Sequence, residues 1–142
     1  FPSDWSVTKW DGKKLAKKAD KLEKIVLGAA EQSKRNLIPE VRLFEKKVDF
    51  LDCLSQFDRV IVAYEESAKE GESAALVKAV TGLEIGSRIL FVVGPEGGLS
   101  PAEIATLEET GAILAGLGPR ILRTETAPLY ALSAVSVLTE LM

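Results

Sequence analysis

The sequence predicts an α/β fold built on a parallel sheet covered by helices, and three observations carry that expectation. Short apolar runs at 60–63 (VIVA), 89–93 (ILFVV) and 112–117 (AILAGL) have the length and composition of strands covered on both faces. Each run is followed by a segment of helical pattern, and strict alternation argues parallel pairing, because parallel neighbours need a crossover connection. The loops that leave the runs, GPEGG at 94–98 and LGPRILRTETAP at 117–128 among them, then fall at the same sheet edge.

The elements follow in order. FPSDWSV reads as an arm, and Asp11 caps a helix whose apolar positions Leu15, Ala19, Leu22, Val26 and Ala29 step by alternating fours and threes. Lys13, Lys14, Lys17, Lys18, Lys21 and Lys24 take the exposed side of that helix. It should stop near Asn36, since Ile38 precedes Pro39 and the residue before proline avoids helical backbone. EVRLF (40–44) is a short strand candidate and VDFLDCL (48–54) a short helix. RVIVAYEE supplies the first buried strand and leads into a polar, glycine-containing loop. SAALVKAVTGL (73–83) is a helix, ILFVV the second strand, and PAEIATLEET (101–110) a helix ended by Gly111. Ser100, Pro101 and Glu103 supply an N-cap, a first-turn proline and a capping-box partner for it. AILAGL is a third buried strand. The last helix starts at Thr126 with Pro128 in its first turn. It carries two apolar stripes, Leu129–Leu132–Val135 and Tyr130–Ala134–Val137–Leu141, more than one sheet covers, which suits a subunit interface or a helix wedged deep in its own core.

A chain of 142 residues fits one domain. With 46% apolar and 27% charged residues it has the composition of a soluble globular protein, and no apolar run approaches the roughly 18 residues of a membrane span. It opens at Phe1 with no basic-then-apolar leader, which suggests a piece of a longer chain. The single cysteine, Cys53, permits no internal disulfide, fits a cytoplasmic setting and reads as a buried apolar residue. There is no histidine, so histidine general-base and metal-ligand schemes are excluded, and no ligand spacing points to a metal. The net charge of −3 is uneven: residues 1–35 carry nine Lys/Arg against five Asp/Glu, the remainder nine against sixteen. A basic end on an acidic body suits nucleic acid, or is simply a solvated lysine-rich helix face.

GPEGG lies between a strand and a helix start, where open parallel sheets bind ligands and where glycines let backbone groups approach them. It lacks the Lys-Ser/Thr of a phosphate loop and the G-x-G-x-x-G spacing of a dinucleotide site. Glu96 within it would repel a pyrophosphate, so a neutral or cationic ligand suits it better. An adenosine joined to a positive centre, as in S-adenosyl-L-methionine, meets both conditions. In the second loop Arg120 and Arg123 suit a carboxylate or RNA phosphates, Glu125 can accept hydrogen bonds, and Gly118 with Pro119 makes a rigid turn; a surface ion-pair cluster is the plainer alternative.

Taken together, EQSKR at 31–35, Pro39-Glu40-Val41, GPEGG with SPAE after it, and LGPRILRTETA at 117–127 resemble the 16S ribosomal RNA uridine-N3 methyltransferases of the SPOUT class. The similarity runs from about residue 15 to the C-terminus. The resemblance implies an α/β trefoil knot and a homodimer, each knot binding S-adenosylmethionine with the partner subunit completing the site. It places Gly94, Pro95, Glu96, Gly97 and Gly98 at the cofactor, completed by Leu117, Gly118, Ile121, Leu122 and Arg123. Thr126 and Ala127 continue that loop, and Ala63, Tyr64 and Glu65 form a third wall. For transfer to uridine N3, Arg123 ranks first as electrostatic stabiliser and Arg35 second as substrate contact. Glu125, Glu31 or an arginine remain candidates for dealing with the imide proton. Residues 13–142 are then the catalytic domain, and 1–12 an arm or linker remnant from a PUA-like RNA-binding domain that family members generally carry. Small-subunit ribosomal RNA is the expected partner, held weakly without that domain, with no metal and no membrane. Lys34 departs from the small residue often found there, and Pro128 from alanine. A non-catalytic RNA-binding assembly protein and an enzyme binding another adenine nucleotide are the alternatives.

Overall fold

The computed structural model describes residues 1–7, 11–65 and 74–141, which form two compact units: Phe1–Pro2 with Val7–Phe50, and Ser3–Ser6 with Leu51–Met142. The polar loop after the first strand falls mostly outside the described residues.

In the first unit, helix α1 spans Gly12–Gln32. Asp11 caps it, accepting a hydrogen bond from the Lys14 backbone N–H at 2.9 Å. That bond, with the Lys14 ammonium 3.3 Å away, holds the Asp11 carboxyl below its ordinary pKa. The expected apolar face is half-buried at Leu15, Ala19, Leu22 and Val26, but its last member is exchanged: Ala30 is buried and Ala29 exposed. Both lie about 50° from the centre of the stripe, so packing rather than periodicity chooses between them.

The helix ends at Gln32, short of Asn36, through a left-handed turn. The Arg35 N–H bonds to the Ala30 carbonyl at 2.9 Å and the Lys34 N–H to that of Glu31 at 3.1 Å, the paired bonds of a Schellman cap. Its left-handed residue is Lys34, at φ 54°, where glycine is the unstrained choice. Lys34→Gly is accordingly expected to raise the unfolding free energy by about 1 kcal/mol. An unchanged urea midpoint would show that the lysine stores no strain.

EVRLF forms no strand. Arg42 instead grips the Glu40 carboxylate with Nε and Nη2 at 2.7 and 3.1 Å, and no sheet ladder joins this segment among the described residues. The apolar centre of the unit is Phe50, stacked on Phe1 with ring centroids 4.0 Å apart and edge-on to Phe44 at 5.7 Å. Phe50 belongs to helix α2, Lys47–Cys53, which runs into a 3-10 turn over Leu54–Gln56. Cys53 is half-buried rather than buried.

The second unit is the α/β body. Strands β1 (Arg59–Ala63), β2 (Ile89–Val92) and β3 (Ile113–Ala115) form a parallel sheet in the order β2-β1-β3. Val62 pairs with Val92 on one side and Leu114 on the other. At the start of β1 and β2, Asp58 locks the register: its carboxylate accepts the Arg88 N–H at 2.7 Å and its own N–H donates to the Arg88 carbonyl at 2.9 Å. Only the central strand meets the expectation of cover on both faces, Ile61 and Val62 being fully buried. On the flanking strands, each paired on one side only among the described residues, Ile89, Leu90, Phe91, Ile113 and Leu114 are half-buried, and Val92 and Ala115 are buried.

Among the described residues three helices follow the strands in the expected alternation. They are α3 (Ala75–Val80), α4 (Pro101–Glu109) and α5 (Ala127–Glu140). Leu76, Ala79 and Val80 of α3 pack with Ile61 and Ala115, and Ala134, Val135 and Leu138 of α5 close over that cluster. Gly111, at φ 85°, ends the α4 segment. On α5 the stripes divide differently from the sequence expectation: Val135 and Ala134 turn inward, while Leu129, Leu132, Tyr130, Val137 and Leu141 are exposed. No helix among the described residues is long and apolar enough to cross a membrane.

Candidate functional site

Parallel order fixes where the loops emerge. Ala63, Val92 and Ala115 end the three strands at one edge, so residues 63–65, 94–98 and 117–127 leave the sheet side by side. A hydrogen bond from the Tyr64 N–H to the Ala115 carbonyl at 3.0 Å carries β1–β3 pairing into the first of them. All the sequence-derived cofactor residues, Ala63 to Ala127, therefore lie in these three segments. Arg35 and Glu31 belong to the first unit.

Within GPEGG the chain turns through residues 95–98, closed by the Gly98 N–H on the Pro95 carbonyl at 2.8 Å. Its three glycines do different things. A Cβ on Gly94 would stand 2.9 Å from the Gly98 carbonyl carbon and 3.0 Å from the Leu99 nitrogen, so the loop folds back on Gly94 at backbone contact. Gly98 sits at φ 78° with nothing within 4 Å of the Cβ position, leaving an open approach to the loop backbone. Gly97 faces Trp5, whose Cβ is 3.5 Å from the Cβ position. A Gly97→Val change would thus press its branched side chain on Trp5. Glu96 and Gly97 are exposed, so the carboxylate that argues against phosphate stands at the surface of the loop.

FPSDWSV is expected as an arm, but the sequence does not foretell its anchoring. Glu103 is 4% and Ser100 6% exposed, an unusual depth for an acidic side chain, and its partners explain it. Glu103 Oε2 accepts the Ser100 N–H at 2.9 Å and the Ser3 hydroxyl at 3.2 Å, while Oε1 accepts the Asp4 N–H at 3.0 Å. The Ser100 hydroxyl accepts the Glu103 N–H at 3.2 Å and donates to Asp4 Oδ2 at 2.5 Å. The capping box foreseen for α4 is therefore also the anchor of Ser3 and Asp4, nearly a hundred residues away in sequence. Nothing local signals such a contact. Asp4→Ala, which strips the acceptor from a buried hydroxyl, is expected to destabilise this unit by about 1–3 kcal/mol. Asp4→Asn, which keeps an acceptor oxygen, should recover most of that loss in urea unfolding; equal losses in both would remove the Ser100 bond from the account.

In the second loop Gly118 adopts φ 94° with Tyr130 Oη 3.5 Å from its Cβ position, so Tyr130 closes that side. The carbonyl of Arg123 accepts the N–H groups of Thr126 and Ala127, both at 2.9 Å, making one turn that delivers the chain into α5. Thr126 occupies the N-cap without a side-chain cap bond, and Ala127 is buried. Arg123 Nη1 lies 3.8 Å from Glu125 Oε1, with the two side chains 86% and 69% exposed. That is a loose surface pair, worth little to folding, whose charges are free to meet a ligand. Ile121, in the same loop, is also exposed, and Leu117 and Leu122 are half-buried. A groove lined by Leu54, Phe57, Asp58, Arg59 and Thr110 lies at the opposite, amino-terminal edge of the sheet and takes in none of the three loops.

Residues 1–136 match the family described as RNA methyltransferase domain. This chain belongs to that family. Among its relatives, the ribosomal RNA small subunit methyltransferase E of Bacillus subtilis (strain 168) is 51% identical over 142 residues, all of this chain and 56% of that protein. The enzyme of the same name from Mycobacterium bovis is 35% identical over 139 residues, 94% of this chain and 50% of that protein. The crystal structure of a ribosomal RNA small subunit methyltransferase E from Neisseria gonorrhoeae bound to S-adenosyl methionine superposes with a TM-score of 0.73 at 32% identity. That match covers 96% of this chain and 53% of that one. The chain thus spans about half the length of the curated relatives it matches.

Proposed function

We propose that this RNA methyltransferase domain binds S-adenosyl-L-methionine and directs its methyl group to N3 of a uridine in small-subunit (16S) ribosomal RNA, in the cytoplasm. The observation that carries this is the meeting of the three loops at the carboxyl edge of the sheet, in a family with a member solved with S-adenosyl methionine. The residues present suit the cofactor. Gly98 leaves backbone open to a flat adenosine, and Glu96, exposed in the same loop, gives a negative setting for a positive sulfur.

The bound cofactor supplies an electrophilic methyl on a sulfonium. The chain's part is to hold the acceptor nitrogen in line with it, and well-oriented reactions gain about 7–11 kcal/mol from such alignment. In this reading Arg123 stabilises the anion that develops as the imide loses its proton, Glu125 takes that proton, and Arg35 contacts substrate. The Pro95, Gly97, Leu117, Thr126 and Tyr64 segments serve as walls. The trefoil knot belongs to the same proposal, with residues 13–142 as catalytic domain and 1–12 as its arm. So does a homodimer: Leu129 and Leu132, 67% and 63% exposed, share one side of α5 and give apolar surface that a second copy would cover.

Calorimetry with S-adenosylmethionine is the direct test. Binding is expected, with ATP and NAD giving none; binding of either nucleotide in its place would overturn the proposal. Methylation of assembled small subunits by the full-length parent, with the base mapped, tests the acceptor.

A further inference from the structure

Helix α1 carries its charge against its own stability. A helix N-terminus bears about half a positive charge and favours acidic neighbours, while its C-terminus favours basic ones. Here Lys13 and Lys14 occupy the first turn, which holds no acidic residue, and the last turn holds no basic one. Asp11 at the cap is the compensation seen there. Lys17, Lys18, Lys21 and Lys24 extend the series, and all six lysines are exposed.

Their spacing gathers them. At 100° per residue the six fall within an arc of about 140°, running about 16 Å along the helix from Lys13 to Lys24. Asp20 stands at one border of the arc, Glu23 about 80° beyond that border, and Ile25, 56% exposed, within the arc. Leu15, Leu22 and Val26 point away from the arc and are half-buried. A local rule broken with so little compensation inside the helix marks a surface kept for a ligand.

We infer that this arc is a docking face for the phosphate backbone of RNA, engaged independently of the cofactor loops. Six cations in a row match a polyanion rather than a single anion. An anionic membrane suits the face less well, because a helix lying in a bilayer needs its apolar side free, and that side of α1 is already packed. As a contact to substrate the arc rests on the RNA methyltransferase proposal, but its test stands apart from it.

The test uses the whole chain, a fluorescein-labelled single-stranded RNA and anisotropy across a salt series. Each lysine that neutralises a phosphate contributes about 0.7 to the slope of log affinity against log salt. Lys13→Gln/Lys17→Gln/Lys24→Gln is expected to reduce that slope by about 2 and to weaken binding about a hundredfold near 0.1 M salt. The same change relieves the dipole conflict, so the thermal midpoint should hold or rise, and S-adenosylmethionine affinity should stay as in the parent chain. An unchanged salt slope, or tighter binding to phosphatidylglycerol vesicles than to RNA, would overturn the inference. Failure of the parent chain to bind S-adenosylmethionine, with the lysine effect intact, would sink the methyltransferase proposal and leave the docking face standing.

Discussion

Gly94→Ala is expected to abolish S-adenosylmethionine binding and to destabilise the sheet unit by about 1–3 kcal/mol, the usual range for a methyl forced into packed structure. The added methyl would meet the backbone of Gly98 and Leu99 at 2.9 and 3.0 Å and the buried Leu99 side chain at 3.1 Å. None of these is the free end of a flexible side chain, so the turn at 95–98 must open. Two neighbouring changes calibrate the result. Gly97→Ala meets Trp5 at an ordinary 3.5 Å and should be mild. Gly98→Ala enters open space but keeps a left-handed backbone, at a cost of about 1 kcal/mol. Calorimetry and urea unfolding on the three variants should rank Gly94 far ahead; equal effects at all three would mean that loop flexibility, not the close approach at Gly94, governs the site.

Arg123→Ala is expected to lower kcat by about 10²–10³-fold, the range seen when a group aimed at developing negative charge is removed. Arg123 is 86% exposed and its 3.8 Å contact with Glu125 contributes little to folding, so the variant should unfold at the same urea concentration as the parent. The measurement is single-turnover methylation of small subunits by the full-length protein at saturating cofactor. A variant with normal kcat and a raised cofactor KM would make Arg123 a cofactor contact and move the burden of the anion to Arg35 or Glu125.

Much of this protein is legible residue by residue because its signals are local. Asp11 and Ser100 with Glu103 announce helix starts through bonds spanning three residues. Apolar runs alternating with helical segments announce a parallel sheet, and parallel order alone carries Ala63, Gly94 and Leu117 to one edge. Candidate cofactor loops were therefore within reach of sequence, as was the lysine series on α1, which needs only the helical repeat.

Other features depend on what lies across the fold. EVRLF has strand composition, yet a strand exists only where a ladder partner is present, and Arg42 paired with Glu40 instead. ILFVV and AILAGL look as apolar as VIVA, but which strand is central is a property of the order β2-β1-β3, and only the central one is shielded on both sides. Ala30 rather than Ala29 was chosen by packing at equal angular distance from the stripe. Most of all, the tethering of Ser3 and Asp4 to Ser100 and Glu103, and the seat of Trp5 against Gly97, join residues more than ninety positions apart. Sequence by itself determined the three strands of the sheet, the helices between them and the loops that form the edge, since these follow from backbone preference and periodicity. Tertiary structure alone decided which strand is buried, which glycine is sterically required and what braces the loop, because burial and close approach are relations between distant parts of the chain.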